Sequence, residues 1–369
     1  MNIESKIQQL LQKSITEKDK RKRMLLFHEI SILNDYAILF EQKDFRILQR
    51  KYYRKEDYLF SKKENLKNQK IFLQSFHLER EYHQIFTSFT ISNCYDSSIQ
   101  HKSFYLKETM PEKLFFQILL DFFEEKLPEF NSFFLKLLEE NRIFFTKNKD
   151  LFPQGSIGVA KYLPSSFQSL IFVWKEYSVK NLITVVHEVG HAIHFDFIKD
   201  NYLSFAAGYF SELFPYFLEQ VFVDYLKEKN LFRKECNRYL DSLAVLLFNK
   251  ANELYILSNL SHFTVDPIYD VQTSNEEIYE ELKEHLSKEM TPSQLKQLNL
   301  RNSLLYYYGI LFSYAFFYQY KQNPQETLKN LKTVLTMKDL YTLQDLFGSI
   351  PFDIDSFLYP TFQKQMTVF

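Results

Sequence analysis

Apolar residues recur at three- and four-residue spacing through the first hundred positions, as in Ile7, Leu10 and Leu11 and again in Met24, Leu25, Phe27 and Ile30. That period lines them along one helix face and predicts amphipathic helices sharing a core stripe. Residues 1 to 110 hold neither glycine nor proline, the strongest local breakers. The polar run Ser92-Asn93-Cys94-Tyr95-Asp96-Ser97-Ser98 reads as a loop. It divides an N-terminal helical region, 1–104, from a second domain, 105–369. Helical spacing returns over 112 to 148, broken at Pro128. Then the texture changes. Pro153, Gly155, Gly158 and Pro164 bracket short apolar pieces, and Ser169-Leu170-Ile171-Phe172-Val173-Trp174 has the length and β-branched content of a strand. From Val179 helical patterning resumes to residue 255, and Glu276 to Glu289 reads as a charged, solvated helix.

Composition narrows the class. With 369 residues, 46% hydrophobic and including 39 Phe and 25 Tyr, the chain can bury a large core and is not disordered. Six glycines and two cysteines exclude collagen-like and disulfide-framework proteins. A formal net charge of −1 offers no electrostatic case for binding nucleic acid or an anionic membrane. The basic run Lys18, Lys20, Arg21, Lys22, Arg23 reads as a solvated helix face. No stretch approaches the ~18 apolar residues that span a bilayer. The opening residues, Met1 to Lys6, lack the pattern of a signal peptide, so a soluble cytoplasmic protein is expected.

One segment carries chemistry. Residues 182–197 read Leu-Ile-Thr-Val-Val-His-Glu-Val-Gly-His-Ala-Ile-His-Phe-Asp-Phe, with His187, Glu188 and His191 in an H-E-x-x-H pattern. On a helix the two histidines lie one turn apart on the same face, so both imidazoles can reach one metal ion. Glu188 is turned by about 100° from His187 and can reach a water at the metal without taking a coordination position. The apolar flank of Ile183, Val185, Val186, Val189 and Ile193 suits a buried helix.

A catalytic zinc takes three protein ligands and keeps one position open. Asp196, Asp200, Glu212, Glu219 and Asp224 all follow downstream. Glu212 is favoured, because it stands in an apolar stretch where an unpaired carboxylate is costly and follows a loop long enough to reverse the chain. A charge placed to meet the helix dipole is the plainer account of the same residue. Glu219, seven residues on, shares its face and is either a support for the ligands or an ordinary polar position. His194, seven residues beyond His187, is read as a supporting or packing histidine, since a fourth ligand would close the site.

These residues resemble the zinc oligopeptidases of the thimet-oligopeptidase and oligoendopeptidase F type. His187-Glu188-Val189-Gly190-His191-Ala192-Ile193-His194 matches that family's H-E-x-G-H-x-x-H. Glu212 with Phe217, Glu219, Asp224, Tyr225 and Leu226 is similar to the family's second helix, which donates the third ligand. Gly155 to Gly158 and the strand at 169–174 resemble the loop and strand above the family's active site. Tyr307-Tyr308-Gly309 and Gly348-Ser349-Ile350-Pro351 are weaker echoes.

The resemblance implies a mainly α, gluzincin-type fold with a small antiparallel sheet beside the active-site helix. It also implies one Zn2+ per chain and hydrolysis of oligopeptides by a metal-activated water, with Glu188 as general base. The strand at 169–174 would pair with substrate backbone. The chain departs from the family in being shorter at its N-terminus and in having no histidine after His285. Ile310 stands where a catalytic tyrosine is expected, so Tyr307, Tyr308 or Tyr314 would have to donate to the oxyanion. These departures motivate the alternative, a peptidase-fold protein that binds peptides or partner proteins without turnover.

Overall fold

The computed structural model describes residues 3–38, 44–94, 108–152, 156–164, 166–199, 210–261, 263–265, 271–272, 298–336 and 343. In chain order, α1 spans Ile3–Thr16, α2 Lys20–Tyr36, α3 Arg46–Tyr52, α4 Lys55–Leu78, α5 Arg80–Cys94, α6 Glu112–Lys126 and α7 Pro128–Glu139. Strands β1 Ile143–Thr146, β2 Gly158–Leu163 and β3 Gln168–Trp174 precede α8 Val179–Ile198. Beyond them lie α9 Leu213–Glu228, α10 Arg233–Asn259, the short β4 Thr264–Val265 and β5 Val271–Gln272, α11 Leu300–Gln322 and α12 Pro324–Thr336. The fold is mainly helical, as expected. Contacts divide the chain into two compact units, residues 1–67 with 109–202 and residues 68–108 with 203–369. The boundary expected at 104/105 lies among residues 95–107, outside the described residues, as does the charged segment 276–289.

In the first unit, Ile7, Leu11, Ile30 and Leu33 of α1 and α2 share a core with Leu163, Leu170 and Phe172 of the sheet. The Asp19 carboxylate caps α2 by accepting from the Arg21 and Lys22 amides. Lys18, Lys20, Arg21 and Lys22 are exposed, as the charge pattern predicts. Arg23 is the exception. It is buried and paired with Asp57, itself fully buried, because a buried cation demands a partner.

The sheet is mixed, with order β1-β3-β2. The expected antiparallel pair is β2–β3, from Gly158↔Val173 to Leu163↔Gln168. Strand β1 adds to it in parallel, with Ile143 beside Ile171. Periodicity reads residues 143–146 as the end of a helical run, and here the structure differs. Asn141 adopts a left-handed φ of 50° that stops α7, and the freed Ile-Phe-Phe-Thr pairs with a strand met only later in the chain. A second correction follows from the strand order. Both edges of β3 are taken, so β3 cannot accept a substrate strand; its unbroken buried run, Ser169 to Val173, is that of a central strand.

In the second unit, α5 packs on α10, and α11 packs on α9, α10 and α12. Helix α9 is buried on all sides from Leu213 to Val223, the mark of a helix enclosed by others. Arg80 of α5 donates to the carbonyls of Ser258 and Leu260, and Gln84 donates to Ser258. These bonds satisfy acceptors that the end of α10 leaves open.

Phe172 is fully buried where the sheet meets α1 and α2. Phe172→Ala should therefore lower unfolding stability by about 3–5 kcal/mol, read from denaturant midpoints. A loss within the range of a surface substitution would disprove this account of the core.

Candidate metal centre

Helix α8 is fixed at its start by its own sequence. Ser178 Oγ accepts from the Asn181 amide, and the Asn181 side chain accepts in return from the Ser178 amide, forming a capping box. Asn181 Nδ2 also donates to the carbonyl of Trp174 at 2.8 Å, tying the end of β3 to the first turn of α8. Leu182, Val185, Val186, Val189 and Ile193 are buried, and α8 packs against β2 and β3.

The remaining face of α8 carries the motif. His187 and His191 turn their Nε2 atoms toward each other at 3.2 Å, with ring planes 78° apart. His191 stacks on Phe195, which limits its ring rotation. Glu188 is 6% exposed and lies against β2. A Cβ at Gly158 would come within 2.3 Å of Thr184 Cγ2 and 2.8 Å of Glu188 Oε1, so the strand can pass over this turn only with glycine there. His194 is 3% exposed on the same helix, consistent with a packing role. Gly155, Asp200 and Gly208, and the 348–351 echo, lie outside the described residues.

In the second unit, Glu212 occupies the residue before α9 and its side chain makes no capping hydrogen bond. Glu219, one face-repeat further on, is 6% exposed and accepts a short hydrogen bond from the Tyr239 hydroxyl of α10. Burial, reinforced by the Glu219 charge, holds the Tyr239 phenol well above its usual range, so it stays a donor. Asp224 pairs with Lys321 at the surface.

The structure places Tyr307 and Tyr308 inside the second unit, both 0% exposed. The Tyr307 oxygen is 2.8 Å from Thr90 Oγ1, and the Tyr308 oxygen is 2.5 Å from His83 Nδ1, so both phenols bond to α5. His83 stacks on Phe76, and burial pulls its imidazole down to about 3, which leaves it neutral. Tyr314 is half-buried. Sequence reading missed His83 and Thr90, which lie more than two hundred residues before their partners and leave no local signature.

His187, His191 and Glu212 form a group of donors, each offering one ligand atom, that could hold a metal ion; it is the one such group among the described residues. The donor chemistry fits zinc, which favours imidazole nitrogen and carboxylate oxygen. Facing each other at this distance, the two Nε2 atoms could each direct a lone pair to one shared cation.

Solved structures agree with this fold. The chain aligns with a crystal structure from Bacillus anthracis str. Ames, assigned as an oligoendopeptidase F, at 13% identity and a TM-score of 0.52, over 94% of this chain and 64% of that one. It aligns with PZ peptidase A, solved with an inhibitor, at 12% identity and a TM-score of 0.51, over 98% of this chain and 71% of that one. No family model matches the sequence, and no curated protein matches it. The chain thus has the fold of the oligoendopeptidase F and PZ peptidase structures, while spanning 64% of the length of the Bacillus anthracis protein. No helix among the described residues is long and apolar enough to cross a membrane.

The buried His83 makes stability depend on pH. Its folded value of about 3 lies below the ordinary 6.5, so below pH 6.5 the unfolded chain takes up a proton that the folded chain refuses. Stability present above pH 6.5 is then lost toward pH 3, at up to ~1.4 kcal/mol per pH unit from this group. His28, also held down by burial and by the Lys161 charge, acts with the same sign. In metal-free protein, His83→Gln should flatten the acid limb of urea midpoints plotted against pH. An unchanged slope would show that His83 is not buried neutral.

Proposed function

We propose that this chain is a cytoplasmic zinc metallopeptidase that hydrolyses short peptides, with His187, His191 and Glu212 as the metal ligands. The observation that carries the reading is the pair of converging Nε2 atoms on a buried helix beside a buried Glu188. A zinc ion bound there supplies Lewis acidity for the scissile carbonyl and eases the ionisation of water.

The chain's own residues supply the rest. Glu188 takes the proton from the attacking water and returns it to the leaving amine, holding it near the reaction in the meantime. Its low exposure limits loss of that proton to bulk water. Substrate backbone pairs with β2, which stands at the edge of the sheet next to Glu188. The oxyanion donor comes from the tyrosines of α11. Tyr307 and Tyr308 would each have to release a bond to α5 to serve, whereas Tyr314 is only half-buried.

The commitment of the Tyr307 and Tyr308 phenols to α5 favours a second reading, peptide binding without turnover. Removal of a single oxyanion donor typically costs ~10²–10³ in turnover.

Two measurements separate these readings. Purified protein should hold close to one zinc per chain by elemental analysis, and zinc-loaded protein should cleave a quenched fluorescent peptide. Glu188→Gln, which keeps shape but removes the base, should retain the metal and lose about 10²–10⁴ in rate. Zinc retention with no cleavage by the unsubstituted protein would favour the binding reading, and an unchanged rate in Glu188→Gln would defeat the mechanism.

A further inference from the structure

Helix α11 passes tightly against the proposed third ligand, the residue just before α9. An ideal Cβ built at Gly309 would lie 2.6 Å from Glu212 Cβ, 3.1 Å from the Glu212 carbonyl carbon and 3.3 Å from its Cα. These are backbone atoms and the root of a side chain, not the far end of a flexible one, so a neighbour cannot simply rotate away. Further along, Gln220 Nε2 donates to Ser313 Oγ at 2.6 Å, and Lys321 reaches Asp224 and Glu228. Positions 309, 313 and 321 thus meet 212, 220 and 224 in the same order, and the two helices run side by side in the same direction. The buried Gln220–Ser313 bond and the edge contact of Phe217 with Tyr320 anchor the later part of this seam. At the start of α9, which Glu212 immediately precedes, the spacing from α11 depends on the absence of a side chain at Gly309.

We propose that Gly309 is a positioning residue for Glu212: the bare backbone of α11 sets where that carboxylate stands and so sets the affinity of the site for its metal. The proposal rests on Glu212 being a ligand. A glycine inside a helix lowers helix stability relative to alanine, so at an ordinary position Gly309→Ala would stabilise the fold. Here the added methyl group must push α11 off the start of α9 while Gln220–Ser313 holds the seam further along. The displacement therefore falls on Glu212.

The test is zinc affinity by chelator competition, read beside the thermal midpoint of metal-free protein. Gly309→Ala should weaken zinc binding by about 10–100-fold, the range for residues that orient a metal ligand, and should lower the metal-free midpoint. Glu212→Gly removes the Cβ that the methyl group meets. In that background the midpoint loss from Gly309→Ala should shrink, which keeps the proposal testable even where the single variant folds poorly. Glu212→Gln tells the two claims apart. If it binds zinc as tightly as the unsubstituted protein, Glu212 is not a ligand and the reading beneath the proposal falls. If it loses zinc while Gly309→Ala keeps full affinity, or if the Glu212→Gly background gives no relief, the positioning role alone is overturned.

Discussion

A helix that brings two imidazoles to a candidate metal site, with a carboxylate beside them, holds its groups still by being buried, and burial penalises every polar group it carries. Helix α8 meets this constraint by dividing its surface. Leu182, Val185, Val186, Val189 and Ile193 seal one side against the sheet, and His187, Glu188 and His191 occupy what is left. The polar start of the helix is satisfied internally by Ser178 and Asn181. Asn181 is used twice, since it also holds the carbonyl at the end of β3. The face that carries the motif is thus tied to the strands through the Asn181–Trp174 hydrogen bond and a layer of branched aliphatic contacts.

Glycine is scarce in this chain, and two of its six copies stand where backbone meets a carboxylate of the candidate site. Gly158 lets β2 pass over Glu188, and Gly309 lets α11 pass beside Glu212. In each unit the same device is used: a carboxylate is located by the main chain of a neighbouring element, not by a side chain that could change rotamer. Main chain within a paired strand or a long helix moves less than a side chain on rotatable bonds.

What the residues disclosed in advance was local. The H-E-x-x-H face could be read because helical spacing alone brings His187 and His191 together. The strand at 169–174 could be read because a buried central strand is a continuous apolar run. Strand β1 could not, because Ile143 to Thr146 has no period of its own and becomes a strand only by pairing with β3. The arrangement around Tyr307 and Tyr308 was hidden for a related reason. Thr90 and His83 are ordinary helix residues until α11 supplies their partners. The role of β3 as a substrate strand failed because position within a sheet is a property of topology, which no single segment encodes.

The interleaving of the two units bears on how the protein is made. Helix α5 belongs with residues 203–369, yet it is synthesised before residues 109–202 of the other unit. Arg80 donates to Ser258 across a separation of 178 residues, and His83 waits across 225 for Tyr308. At ribosomal speeds of about 5–20 residues per second, α5 emerges on the order of ten seconds before the helices that cover it. Through that interval Phe76, Phe86 and the neutral face of His83 have no finished core to enter. The growing chain must therefore either shelter α5 on temporary partners or keep it open until the second unit closes, so folding is completed from the C-terminal side rather than in the order of synthesis.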